Sequence, residues 1–228
     1  MEDRNSKRTL LWFLFMLSLV IIGMGLCMSK LQSVPARLVC GTNVKGFGTA
    51  LSVYAYQYNN KYPTENWCDL LVMQTDVQPK KFMYPQSDCV KGESSYALNI
   101  AAAQAGEKSP SKMVVVFETS TGKSGQREIL PNGRKFQTVL KDVKIGEVYK
   151  DRWNQIGGPE LLTLDHHDGE GAWFLFADGH ADFVKADDLP ELQWDVADTI
   201  RLTQVDVQWL VNHAKQAKAE KKPKWKKR

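Results

Sequence analysis

The feature that most constrains this chain of 228 residues is an uncharged run from Thr9 to Met28, TLLWFLFMLSLVIIGMGLCM. Twenty apolar residues at a helical rise of about 1.5 Å reach across a hydrocarbon core roughly 30 Å thick. Backbone polar groups in lipid must be satisfied within the segment, so a single run of this kind is a helix. A cleaved signal peptide would have a shorter apolar core and a small-residue cleavage site, and Leu26, Cys27, Met28, Ser29 and Lys30 make no such end. The expectation is an uncleaved transmembrane helix over 9–28 behind a short tail, 1–8. Arg4, Lys7 and Arg8 precede the run while Lys30 and Arg37 follow it, so charge alone sets the orientation only weakly. The brevity of the tail and the cysteines beyond the run favour a soluble domain on the non-cytoplasmic side of the cell membrane.

That domain is expected over 29–200. Cys40, Val44, Phe47, Leu51, Tyr54 and Tyr58 recur at spacings of four, three, four, three and four, one face of a helix over 36–60. Gly41, Gly46 and Gly48 weaken it, Pro35 is expected to kink the chain where the membrane helix continues into it, and Tyr62-Pro63 ends it. A short helix follows from Thr64 to about Met73, with Thr64 as its cap. The pattern then turns to strands. Candidates are Ser95–Asn99, Met113–Phe117, and, less distinctly, 127–130, 135–140 and 146–150. Asp178-Gly179 between two strand-like runs, 172–177 and 180–184, signals a hairpin with a type I′ turn. The fold class expected is α+β: a long N-terminal helix, its first half in the membrane, packed on a small antiparallel sheet within 94–185. A C-terminal helix is read at 201–214. Residues 215–228 hold eight Lys or Arg against Glu220, a charge of +7 that leaves about −3 elsewhere given the net +4. Such a run reads as a disordered tail, with anionic lipid or cell-wall polymer as its natural contacts.

Chemistry-bearing residues are sparse. Of the four cysteines, Cys27 lies in the apolar run; Cys68 and Cys89 bracket a loop of about twenty residues, whose closure by a disulfide is worth roughly 3 kcal/mol. His166, His167, Asp168, Glu170, Asp178 and His180 are dense enough to suggest a metal-dependent enzyme. Against this, Asp178-Gly179 is explained as a turn and no nucleophile, base and orienting group can be named elsewhere. The expectation is therefore no catalytic residue, no cofactor and no small-molecule substrate. His167 and His180 are expected to meet near the turn, hydrogen-bonding rather than holding zinc or iron.

Several stretches carry a resemblance. Cys40-Gly-Thr-Asn-Val-Lys45 leads into Ala50, Leu51, Tyr54 and Ala55, then Asn59, Asn60, Tyr62 and Pro63. Further on come Trp67, Phe82 to Pro85, Ser95 to Asn99 and Phe117-Glu118. Then follow Trp153 to Leu161 with Gly157 and Gly158, His167, and Asp178-Gly179-His180. Together these resemble the pseudopilin-like proteins of planctomycetes and their relatives, kin of type II secretion pseudopilins. Their hallmark is a His separated by nine residues from Asp-Gly; here ten separate His167 from Asp178. The N-terminus departs from prepilins, reading Lys7-Arg8-Thr9-Leu10-Leu11 with neither a junction glycine nor the following glutamate. The resemblance implies a pilin-like fold and a structural or assembly protein of a type II secretion or type IV pilus-like apparatus. Its partners would be the bilayer, other pseudopilins and components of that apparatus. It also implies a loop that takes structural calcium, for which Asp165, Asp168, Glu170 and Asp178 offer oxygen donors.

Overall fold

The structure, a computed structural model, describes Trp12, Met16 and residues 35–85, 93–106, 109–119 and 153–221. The apolar run 9–28 lies outside the described residues apart from Trp12 and Met16, which are helical. The expected strands at 127–130, 135–140 and 146–150 also lie outside them.

The first element of the domain, α1, is Ala36–Gln57. Its inward face is the stripe read from the sequence: Cys40, Val44, Phe47, Leu51 and Tyr54 are all buried, while Tyr58 falls beyond the helix and is exposed. Arg37, Thr42, Lys45, Thr49 and Ser52 share the same helix, so it is amphipathic and not apolar. This corrects the expectation of one long helix whose first half is embedded in lipid. Among the described residues no helix is long and apolar enough to cross a membrane.

The sheet corrects the expectation a second time, because it is mixed. Five strands lie in the order β3-β1-β2-β4-β5. They are β1 Tyr96–Asn99, β2 Val114–Glu118, β3 Ile156–Gly157, β4 Gly171–Phe176 and β5 Ala181–Lys185. The pairs β1–β2, β2–β4 and β4–β5 are antiparallel, but β3 joins β1 in parallel, Leu98 opposite Ile156. A parallel partner needs a long return path, and here it comes from beyond β2.

Side chains alternate across the sheet, and both faces are covered. On one face, Tyr96, Leu98, Val115 and Leu175 join α1 and the short helix α2, Trp67–Thr75. On the other, Ala97, Phe117, Ala172, Phe174 and Phe176 join Leu164, Leu189 and Trp194 with the last helix. The sequence pattern supplied only one covering layer; the second comes from the segments 159–167 and 186–202, outside the strands, and from the last helix. Strands buried on both faces read as continuous apolar runs, which accounts for Met113-Val-Val-Val-Phe117.

Local details differ for identifiable reasons. Helix α2 starts at Trp67 behind Asn66, whose φ is 49°, and Thr64 is not its cap. A six-residue helix, α3 Ile100–Ala105, follows β1 directly, with the Asn99 side chain accepting from Ala101 N at 3.1 Å. The last helix, α4, is Gln204–Lys221, so half of the basic segment is helical. Thr203 and Asp206 start it as a capping box, Asp206 Oδ2 accepting from Thr203 N at 2.7 Å and Asp206 N donating to Thr203 Oγ1 at 3.3 Å. Ala, Lys, Gln and Glu fill its last two turns, all strong helix formers. Residues 222–228 lie outside the described residues.

Glycines in α1 let the helix settle on β4. A Cβ on Gly41 would sit 2.5 Å from the Trp173 indole, and one on Gly48 would sit 2.7 Å from Leu175. The residues that weaken the helix as an isolated element are those that permit its docking.

Candidate functional site

Three titratable side chains far apart in sequence meet between α1 and the sheet. Cys40 comes from the first turns of α1, Glu118 ends β2, and His167 closes a short 3-10 turn, Asp165–His167, ahead of β4. Their relative exposures are 0%, 0% and 8%. One donor atom from each lies within 4.8 Å of the others, the only such three-residue group among the described residues.

Each member is held. Glu118 Oε1 is 3.0 Å from His167 Nε2, and Oε2 accepts from the backbone N–H of Trp173 at 3.1 Å. Burial pushes the Cys40 thiol far above its usual range, with the Glu118 charge adding to it, so in this setting it is a thiol and not a nucleophile. Aromatic rings enclose the group. Tyr84 meets His167 edge-on at 5.8 Å, Phe183 does the same at 5.2 Å, and the Arg37 guanidinium stacks 3.4 Å from the Phe183 ring centre. Tyr84 donates its hydroxyl to His166 O at 2.5 Å, and burial, with Cys40, Glu118 and Asp168 adding, raises its phenol to about 12. Tyr96 is wholly buried; its hydroxyl lies beside Cys40 and Asn43 yet makes no hydrogen bond of normal geometry.

The residues singled out from the sequence are distributed differently from expectation. His167 and His180 have separate partners: His167 faces Glu118, while His180 stacks on Phe176 at 4.4 Å and pairs with Asp178 in the exposed hairpin turn. His166 stacks on Tyr84. The proposed metal-enzyme set of His166, His167, Asp178 and His180 is thus not gathered at one point. The calcium candidates are also dispersed. Asp165 faces His213 at 3.4 Å, Asp168 binds Lys218 at 2.6 Å, Glu170 meets Arg37 at 3.5 Å, and Asp178 takes His180. Of the other residues that carry the resemblance, Trp153 donates to Asp69 at 2.8 Å, Gly157 lies in β3, and Gly158 N donates to Glu160 at 2.6 Å. Cys68 is buried with its sulfur 3.0 Å from Trp153 O, and its expected partner Cys89 lies outside the described residues.

The turn itself is not type I′. Only Gly179 has a positive φ, 86°; Gly179 N donates to Phe176 O at 2.9 Å and Phe176 N to His180 O at 2.9 Å. This is a type I turn followed by a glycine bulge. Nothing lies within 4 Å of a Cβ at Gly179, so substitution there meets backbone strain and no clash. Gly179→Val is expected to lower stability by about 1–3 kcal/mol, the cost of a sparsely populated backbone region. His180→Ala, losing one exposed ion pair, is expected to cost less than about 1 kcal/mol. Urea unfolding of both variants checks the order, and equal losses would contradict it.

Sequence reasoning missed Cys40 and Glu118 as site members. Both stood in the stretches that carried the family resemblance, but no local spacing links them to His167. An open groove of about 1020 Å³ lies elsewhere, lined by Tyr54, Tyr58, Asn59, Asn60 and Tyr62 among others, and no member of the buried group lines it. Comparison of the chain with family models, with curated proteins and with solved structures returns no match.

Proposed function

We propose that the chain is a non-enzymatic structural or assembly protein, anchored in the membrane through residues 9–28 and related in role to pseudopilins. The observation that carries this reading is the sealing of the one gathered set of reactive groups among the described residues. Cys40 and Glu118 have no solvent exposure, His167 has 8%, and Glu118 and His167 are committed to each other. A general base or nucleophile must reach the substrate atom it acts on, and these groups are closed in by Tyr84, Phe183 and Trp173. The resemblance lends further support. Three of the stretches behind it, those holding Cys40, Glu118 and His167, meet at one place in the fold. An internal lock serves a protein whose task is to present a surface.

Two measurements test the proposal. In alkaline carbonate extraction the full chain is expected in the membrane pellet, and a variant lacking residues 1–35 in the soluble fraction. Recovery of the full chain as soluble protein would refute anchoring. In native protein, iodoacetamide is expected to leave Cys40 unmodified, while denatured protein reacts fully. Rapid native alkylation of Cys40 would show an accessible thiol and return the enzyme reading to favour.

A further inference from the structure

We propose that Cys40, Glu118 and His167 hold a structural zinc ion, with the hydroxyl of Tyr96 as the fourth donor. The inference goes beyond the role proposed above and does not depend on it. The donors decide the class of metal. One sulfur, one imidazole nitrogen and one carboxylate oxygen are the ligands of zinc, whereas calcium and magnesium take oxygen throughout. Tetrahedral zinc, with bonds of about 2.0–2.3 Å, spaces its donors roughly 3.3–3.8 Å apart. The three donor atoms here lie within 4.8 Å of one another, with Nε2 and Oε1 at 3.0 Å. Small side-chain adjustments therefore reach the required spacing: the nitrogen–oxygen pair opens by a few tenths of an ångström and the sulfur closes in.

Tyr96 supplies an independent observation. Its ring is fully buried and its hydroxyl lies beside Cys40 and Asn43, yet that hydroxyl makes no hydrogen bond of normal geometry. A buried polar atom without a partner is costly, and a cation among these four groups would give it one. Charge also balances, because a thiolate and a carboxylate neutralise a divalent ion and leave no net buried charge. The outer contact is of the kind that orients a ligand: the Trp173 N–H fixes Glu118 Oε2, leaving Oε1 to face His167. A closed, four-donor site is structural and has no open position for a substrate. The ion would tie helix α1, strand β2 and the turn before β4 at a single point.

The test uses the full chain in detergent, purified without chelator. Elemental analysis is expected to find one zinc per chain. Replacement by cobalt(II) is expected to give a thiolate-to-metal charge-transfer band and the intense visible bands of tetrahedral cobalt. These should disappear in Cys40→Ser and persist in Cys68→Ser, whose thiol is buried at a different place. Zinc at a hundred times its dissociation constant should raise the melting temperature of wild type by about 5 °C or more, and of His167→Gln much less. Absence of metal from wild type together with no melting shift on adding zinc would overturn the proposal, and so would a thiolate band that survives Cys40→Ser. The wild-type arm keeps the test decisive if either variant fails to fold.

Discussion

His167→Ala is expected to lower the stability of the domain by about 3 kcal/mol, the loss expected when a buried polar group is left without its side-chain hydrogen-bond partner. The histidine itself is a modest part of that. What matters is Glu118, which has no solvent exposure and would keep only the Trp173 N–H and the Cys40 thiol beside it. A buried carboxyl group that loses a hydrogen-bond partner costs free energy. A double-mutant cycle separates the two contributions. Glu118→Gln combined with His167→Ala should be markedly less damaged than the sum of the single variants, because both sides of one contact change together. Urea unfolding monitored by tryptophan fluorescence gives the values; a single-variant loss below about 1 kcal/mol would show that the pair is not structural. The sequence placed His167 together with His180 near the turn; in the structure it lies buried against Glu118 instead.

Trp194→Ala is the second large effect, expected at about 3–5 kcal/mol for removal of a buried indole. Trp194 has no solvent exposure, meets Phe117 edge-on at 5.0 Å and Phe174 at 6.1 Å, and its carbonyl accepts from Asn99 Nδ2 at 2.9 Å. It is the centre of the core beneath the sheet. Its indole N–H has no partner, so Trp194→Phe should recover most of the loss: it keeps an aromatic ring against Phe117 and drops the orphaned donor. Thermal melts of the two variants check this. A phenylalanine variant as unstable as the alanine one would mean that the N–H is satisfied in solution.

These two residues mark the boundary of what the sequence discloses. Where burial is periodic, the chain is readable. Cys40 to Tyr54 repeat at helical spacing and are the inward face of α1, Met113 to Phe117 form a doubly buried strand, and Asp178-Gly179 reverses a hairpin. Where burial depends on distant contacts, nothing local announces it. Strand β3 is two residues long, Ile156–Gly157, too short for any alternation to register, so the parallel pairing escapes notice. Trp194 sits in an aperiodic stretch whose inward residues are chosen by the shape of the sheet. Cys40, Glu118 and His167 were each visible as members of resembling stretches, but their convergence depends on topology and not on spacing.

The strand order has a consequence for synthesis. β1 and β2 come from the first part of the chain, and each is flanked by a strand from the last part, β3 beside β1 and β4 beside β2. When Thr119 has left the ribosome, the emerged polypeptide carries a two-stranded ribbon with both lateral edges unpaired and apolar side chains on both faces. Such edges invite pairing with any other chain at hand. The β1 edge stays open until Gly157 follows, and the β2 edge until Phe176. The nascent protein therefore passes through a window in which its own fold does not yet cover these edges.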